Sequence, residues 1–578
     1  MKCEICEIAC NIEKGAPGAC KMYINNHGKI EERFANNYST LFPVSIETVP
    51  TLHFYPNHKF LQVSSIGCNF SCNGCISEIL AKGTETISAA LKNVPPEKVI
   101  EKALNQGCRG IVFCINDPSV SFFTFRNLVK LARENDLLTG FSTNGYLTVK
   151  ALNMLIPHID FVNIGIKGFS DKPYISCGVP SSKPVFRNLE LLFKAGIHVE
   201  VAAIHMKGFE HEINNIADFI ASLSKDIPFQ VMRFVPFGEA DIANEPTIKE
   251  SEALCMDLKN QLTHVYLFNS PGTELLNTIC PDCGSIVITR EFFGPMGARI
   301  IDFMPDGICK CGTKINIKGN LSLNRYDEHG FFGGYRTTRA FEMLHSIMVC
   351  IGANDPEKVS ELWFDLIKTN YLKEFHDVVQ LPEAYGKIID NLAGKTDCIK
   401  KGNLLKNYIN ARLDLIKALA ENTERPSVYY AMGYPLFALN AERFETNLVE
   451  AAGGICLNKQ LTKKGKPGIT ISREELIKLN PDIIFISGFL SCPASDFYEY
   501  CIKYDLMVNA VKNNRIYDHF PLWDFGSPRW ILGLMHIANI LHPELFSFKM
   551  EDEANRFYMK FFNKPFDIKN ANRSFYRV

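Results

Sequence analysis

Residues 60–75 read FLQVSSIGCNFSCNGC: a β-branched and aromatic run, then three cysteines spaced C-x3-C-x2-C (Cys68, Cys72 and Cys75), with no fourth nearby. The same kind of run recurs as GIVFCIND (110–117), LTGFSTNG (138–145), FVNIGIKG (161–168), HVEVAAIHM (198–206), FQVMRFVPF (229–237) and THVYLFN (263–269). Helical patterns fill the gaps. PPEKVIEKALNQG starts on Pro95 and Pro96, repeats apolar residues at i, i+4 and stops at Gly107. Phe125, Leu128, Val129 and Ala132 make one stripe in the next gap. Repeated β-α units imply a parallel sheet, closed or partly closed into a barrel, with functional groups at the C-terminal ends of its strands. The expected fold class is therefore α/β, a partial (β/α) TIM-like barrel with the three cysteines on its rim.

Composition narrows the setting. The 578 residues are 46% hydrophobic and carry a formal net charge of −1, which argues against nucleic acid or an acidic membrane as partner. The opening MKCEICEIAC has no apolar h-region, and no apolar run is long enough to span a bilayer, so the expectation is a cytoplasmic protein. A reducing compartment disfavours structural disulfides and turns clustered cysteines into ligand candidates. Eleven of the twenty cysteines cluster: Cys3, Cys6, Cys10 and Cys20; the triplet; and Cys280, Cys283, Cys309 and Cys311. The other nine read as small buried residues.

Five segments follow. Residues 1–59 are Cys-rich, 60–275 form the barrel, 276–318 carry cysteine knuckles, and 319–336 are a linker containing DEHGFFGGYR. Residues 337–578 begin helically and regain a β/α rhythm from about 425, through PSVYYAMG, GITIS, PDIIFISG and RIYDHF. Ser472 and Glu475 form an S-x-x-E capping box before EELIKL.

A cubane iron–sulfur cluster needs four ligands, so three cysteines leave one iron open. GCNFSCNGC resembles the signature of the radical S-adenosylmethionine superfamily. A zinc or closed iron–sulfur site with a distant fourth cysteine is the alternative for the triplet alone. CEICEIACNIEKGAPGAC, PTLHFYPNHKFLQVSSIGCNFSCNGC, HVEVAAIHMKG, VMRFVPF and VYLFNSPGTELLNTICPDCG together resemble the pyruvate formate-lyase activating-enzyme-like branch called AmmeMemoRadiSam, over residues 3–318.

The resemblance implies that Cys68, Cys72 and Cys75 hold a [4Fe–4S] cluster and that S-adenosylmethionine chelates the open iron. One electron then cleaves the sulfonium to a 5′-deoxyadenosyl radical. It further implies that Asn116 and Asp117 of INDP receive the methionine amino group, that Ser142 and Asn144 of STNGY reach ribose or carboxylate, and that Lys167 of GIKG pairs with the carboxylate. Three positions depart from the pattern. Gly74 stands where an aromatic usually precedes the third cysteine, Asp117 replaces a glutamate, and Ser142 and Gly165 stand where aspartates can hold a monovalent cation.

The quartet Cys3, Cys6, Cys10, Cys20 suits zinc or a complete auxiliary cluster, and spacing does not choose between them. The second quartet, CPDCG with CKCG, resembles paired zinc-ribbon or rubredoxin knuckles, one residue short in its second half. From RPSVYYAMG onward the chain resembles the C-terminal lobe of cluster-III periplasmic binding proteins, which carry cobalamin, haem, siderophores and metals. Trp523, Asp524 and Arg529 are the candidate cleft residues, against a bland reading as core.

The leading expectation is a radical enzyme acting on a small molecule or metallocofactor, with ferredoxin or flavodoxin as electron donor. The alternatives are a glycyl-radical activase and a non-catalytic iron–sulfur sensor. Loss of both cation-site aspartates counts against the first, and retention of the triplet with Lys167 against the second.

Overall fold

The alternating runs of the first half become strands in the order in which they occur. In the computed structural model, which describes residues 1–578 apart from 89–90, 237–239, 327, 329–333, 354, 356, 359–360, 363–380, 464, 466, 521–522, 525 and 567–578, they form one eight-stranded sheet. Its strands are β1 (Thr40–Ser45), β2 (Lys59–Ser64), β3 (Gly110–Phe113), β4 (Leu138–Thr143), β5 (Phe161–Ile166), β6 (His198–His205), β7 (Phe229–Arg233) and β8 (Val265–Phe268). Spatial order equals sequence order, and β2 to β8 are parallel. Right-handed crossovers in a sequential sheet place the helices on one face and leave the other facing inward. The expected stripe Phe125, Leu128, Val129, Ala132 is buried on helix Phe122–Glu134.

One element was not foreseen. β1 pairs antiparallel with the outer edge of β2, the edge a closing strand would need. Among the described residues β1 and β8 do not pair, so the sheet does not close on itself.

Across the inner face, Ser142, Asn163 and Glu200 lie side by side in register on β4, β5 and β6. The segment Val49–Asn57 enters from the N-terminal ends of the strands and covers this polar row. Leu52 N–H donates to both oxygens of the Glu200 carboxylate, at 2.9 and 2.8 Å, and His53 N–H donates at 2.7 Å. The Gln230 amide donates to it at 2.7 Å. Asn163 and Gln230 both donate to the Pro50 carbonyl, at 2.7 and 2.6 Å. Phe54 stacks on Phe161 at 4.4 Å. A buried carboxylate survives where every lone pair finds a donor, and Glu200 has that company.

After β8 comes an antiparallel sheet of β9 (Thr278–Ile279), β10 (Ile286–Phe292) and β11 (Ala298–Phe303). The chain then returns to the inserted segment: Lys318 N–H donates to the His53 carbonyl and Tyr55 N–H to the Lys318 carbonyl, both at 2.8 Å.

Chain contacts divide the molecule into two units. The first is Met1–Pro246, Glu250–Asn269 and Glu274–Thr338; the second is Arg339–Val578 with Thr247–Lys249 and Ser270–Thr273. The second unit's sheet runs Gly468–Thr470, Phe437–Leu439, Ser427–Ala431, Ile483–Ile486, Ile516–Asp518, with Ile455–Cys456 beside Ser427–Ala431. Helices Gly334–Ile351, Tyr385–Lys395 and Ile399–Ala420 precede it. The Ser472–Glu475 capping box forms in both directions. Among the described residues no helix is long and apolar enough to cross a membrane.

Candidate functional site

A strand alternates its side chains with period two, so Asn144 continues the inward face of Ser142, and Gly165 and Lys167 that of Asn163. These residues meet the loop after β2 at the C-terminal rim. Asn116 ties the strand ends together: its Oδ1 accepts from Ser65 N–H at 2.8 Å and its Nδ2 donates to the Ile66 carbonyl at 3.1 Å. Asp117 does the same for the next pair. Its Oδ1 accepts from Ser119 N–H at 2.9 Å, and its Oδ2 from the Thr143 hydroxyl at 2.9 Å and Asn144 N–H at 2.8 Å. Both residues, expected to face a ligand's amino group, spend most of their hydrogen-bonding capacity inside the rim.

Asn144 in turn reaches the cysteine loop. Its Nδ2 donates to Asn69 Oδ1 at 2.7 Å and lies 3.7 Å from Cys68 Sγ. Burial pushes the Cys68 thiol up to about 12, with the Asp117 carboxylate adding to the rise, while the Phe70 N–H and the Lys167 ammonium act the other way. Burial also raises Cys75, against the Ser77 N–H and again Lys167. The Lys167 cation thus acts electrostatically on both thiols. Ser142 is half-buried on the inner face. The Gly74 departure has a steric cause: a Cβ there would lie 2.8 Å from Ala240 Cβ and 3.2 Å from the Phe234 ring, so no aromatic fits before Cys75.

Cys72 is the exception within the triplet. It is joined in a disulfide to Cys177, 105 residues away, at the end of helix Asp171–Ser176. Ser71 N–H donates to the Cys177 carbonyl at 2.8 Å, so the two loops are also held by backbone. Cys177, read from sequence as an ordinary buried residue, is instead the partner of a candidate ligand. Nothing in YISCGVP signals this, because the pairing depends on the β5 crossover passing beside the cysteine loop. So engaged, the Cys72 sulfur is not free to take a metal ion.

The N-terminal quartet surrounds the same loop from outside. Cys3 N–H donates to the Cys10 carbonyl at 2.9 Å, and Cys6 forms a bridge with Leu147. Burial pushes Cys6 up to about 12 and Cys20 up to about 11; the Asn69 side chain beside Cys6 acts against the rise. Asn69 therefore stands between Cys6 and the Asn144–Cys68 pair. Cys3 and Cys10 meet through their side chains, and Cys6 and Cys20 each act electrostatically on members of the same set, so the four thiols are neighbours.

The second quartet is compact. Among the described residues, Cys280, Cys283, Cys309 and Cys311 form a group whose ligand atoms all lie within 4.8 Å, with Cys280 Sγ 3.5 Å from Cys311 Sγ and Cys283 Sγ 3.3 Å from Cys309 Sγ. The missing residue of the second half does not prevent the knuckle.

In the second unit, Trp523 and Asp524 are completely buried. Asp524 Oδ2 accepts from the Tyr430 hydroxyl at 3.0 Å and Gly488 N–H at 2.9 Å, and burial raises its carboxyl above the usual range. Arg529 is half-buried, with its guanidinium 4.2 Å from the Phe562 ring centroid.

The polar residues inside β5, β6 and β7, Asn163, Glu200 and Gln230, were missed. The signal was present: each interrupts an otherwise apolar strand, in three successive strands.

A sequential parallel sheet with a three-cysteine loop after its first parallel strand defines an α/β protein whose rim is built for a thiolate-bound metal centre beside a cation. Residues 63–221 match the model of the Radical SAM superfamily, so the chain contains a radical SAM domain. That domain implies a [4Fe–4S] cluster and S-adenosylmethionine, and the donor types fit: Cys68 and Cys75 are free thiols influenced by the Lys167 cation, and the third cysteine of the same loop is bonded to Cys177. An uncharacterized protein of Methanocaldococcus jannaschii is 29% identical over 327 residues, 55% of this chain and 95% of the relative. Among solved structures, a periplasmic solute binding protein of Veillonella parvula is 20% identical, with a TM-score of 0.30 over 33% of this chain and 60% of that one. The molybdate-bound MolA of Haemophilus influenzae is 19% identical, with a TM-score of 0.28 over 32% and 58%. Helicobacter pylori Ceue with Ni(II) bound is 21% identical, with a TM-score of 0.29 over 33% and 62%. The chain spans about three fifths of the length of the binding proteins it matches.

Proposed function

We propose that this chain is a radical S-adenosylmethionine enzyme that modifies a small molecule or metallocofactor, such as a corrinoid, another tetrapyrrole or a metal chelate, bound with help from the second unit. The observation that carries the reading is the rim itself: the C-x3-C-x2-C loop at the end of β2, with Lys167 acting electrostatically on Cys68 and Cys75. Cys68, Cys72 and Cys75 would hold the [4Fe–4S] cluster, Cys72 once a dithiol reductant has supplied two electrons and two protons to split its bond to Cys177 into two thiols and has itself become a disulfide. When bound, cluster and S-adenosylmethionine supply one-electron cleavage of the sulfonium.

The protein's own residues do the rest. Lys167 offers a charge-assisted bond to a carboxylate. Asp117 acts as a positioning residue, holding Asn144 against the Cys68 loop. Ser142 stands on the inner face for a ribose or carboxylate contact. The Val49–Asn57 segment closes the inner face from the strands' N-terminal ends, which keeps water away from reactive intermediates on that side. A partial barrel is the closure this sequential sheet favours, and ferredoxin or flavodoxin in the cytoplasm is the class of electron donor it would need.

Full-length protein, reconstituted anaerobically with iron and sulfide and reduced with dithionite, is expected to release 5′-deoxyadenosine from S-adenosylmethionine. Cys68→Ala should abolish release; equal release by that variant would sink the reading. Mass spectrometry of small molecules retained by the full chain then tests the substrate class.

A further inference from the structure

We infer that Cys280, Cys283, Cys309 and Cys311 bind one zinc ion, and that this ion locks the chain segment that holds Val49–Asn57 in the sheet. The site is independent of the rim chemistry.

The geometry selects a single ion. Zinc–sulfur bonds of about 2.3 Å in a tetrahedron put neighbouring sulfurs about 3.8 Å apart. The closest pairs here stand at 3.3 and 3.5 Å, and all four sulfurs fall within 4.8 Å. A cubane would spread its thiolates across four outer corners and needs a wider ring of ligands.

Both halves are built alike. Each second cysteine is followed by a glycine in the left-handed region, Gly284 at φ 73° and Gly312 at φ 94°, where a side chain would be strained. Gly284 N–H donates to the Cys280 carbonyl at 3.0 Å and Gly312 N–H to the Cys309 carbonyl at 2.8 Å. Two residues after Cys283 and Cys311 come the hydroxyls of Ser285 and Thr313, at 3.4 and 3.2 Å from the sulfurs. The Thr313 hydroxyl gives its own hydrogen to the Asp282 carboxylate, which ties the second knuckle to the first. Zinc stands above ferrous iron in affinity for a site of this kind, and four protein ligands close it, so its role is structural.

The fold here needs that staple. Its core has seven buried members, Cys280, Val287, Ile288, Ile300, Cys309, Ile315 and Leu321, and two of them are the ligands themselves. A core this small rarely holds without a metal or disulfides. What it holds is the inserted segment. His53 Nδ1–H donates to the Asn316 carbonyl at 2.8 Å, Arg290 donates to the Leu52 carbonyl at 3.0 Å, and the Asn57 amide donates to the Ser322 carbonyl at 2.7 Å. Asn316 and Ser322 follow directly after the second knuckle.

The test uses full-length protein isolated anaerobically, wild type and the double variant Cys283→Ser/Cys311→Ser. Zinc is expected to fall by one per chain in the variant, with iron at the rim unchanged. Amide exchange across residues 52–57 is expected to quicken about tenfold or more. An unchanged zinc content in the variant, or a loss of iron in place of zinc, overturns the site. Zinc lost with exchange at 52–57 unchanged overturns the locking role. If the variant does not fold, cobalt(II) grown into the wild type gives the intense thiolate charge-transfer bands of a tetrahedral four-sulfur site; a spectrum without them overturns the assignment.

Discussion

Asp117 accepts the backbone N–H of Asn144 at 2.8 Å, so a carboxylate at the end of β3 sets the first turn after β4. Asp117→Ala leaves that N–H, Ser119 N–H and the Thr143 hydroxyl without their acceptor. The expected cost is about 1–3 kcal/mol of stability, because buried donors lose a partner they cannot replace with water. Urea unfolding measures it. Release of 5′-deoxyadenosine should drop as well, since Asn144 no longer holds the Asn69–Cys68 contact.

Cys72 and Cys177 have different expected fates. Cys177→Ser should keep the iron content of the reconstituted protein, whereas Cys72→Ser should lose it. Iron and sulfide analysis decides. A fall in Cys177→Ser to the level of the Cys72 variant would make Cys177 itself a ligand.

Arg233 and Glu245 form a buried ion pair at 2.8 Å, and Arg233 also donates to the Asn269 carbonyl at 3.0 Å. Glu245→Ala should destabilise the first unit by about 3–5 kcal/mol, because it leaves a guanidinium buried without its counter-charge. Denaturant unfolding followed by far-ultraviolet circular dichroism reads the loss. Glu245→Gln, which keeps a hydrogen-bond acceptor, should cost less.

The second unit should weaken in acid. His519 stacks on Tyr430 and lies edge-on to His536, and burial pushes both histidines down to about 3 from an ordinary value near 6.5. Between those values the unfolded chain binds protons that the folded one refuses. Their contribution to stability is therefore complete above about pH 6.5, falls as pH drops toward 3 and levels off below, while the raised Asp524 carboxyl works in the opposite direction. All three tryptophans, Trp363, Trp523 and Trp530, belong to this unit, so tryptophan fluorescence reports its unfolding separately. His519→Phe should flatten the slope; an unchanged slope would remove His519 from the account.

Much of this was legible in the chain. The seven parallel strands are local: a β-branched run, a turn and an apolar stripe each announce themselves within about fifteen residues. The triplet and the Cys280 quartet were legible because ligand spacing is written in sequence. What was not legible depends on contacts between distant segments. Strand β1, with Pro43 inside it, reads as a loop until β2 offers it an edge. Cys177 acquires its partner only through the β5 crossover. Trp523 and Asp524 looked like cleft residues by type, and folding buried Asp524 against Tyr430 and Gly488 and Trp523 against Phe520. Glu200 carried a signal, a charge inside an apolar strand, but its reason lies in Leu52 and His53, nearly 150 residues earlier.

The inserted segment also sets a timetable. On a ribosome, β2 to β8 emerge in the order in which they pair, so the sheet grows strand by strand. Val49–Asn57 is made before any of them, yet Asn316, Lys318 and Ser322, which hold it, come after all of them. At about 5–20 residues per second, the wait lasts on the order of ten seconds or more. During that interval the buried row of Asn163, Glu200 and Gln230 has its first partners but not their clasp, which makes the nascent first unit a substrate for chaperones until the last cysteine pair is translated.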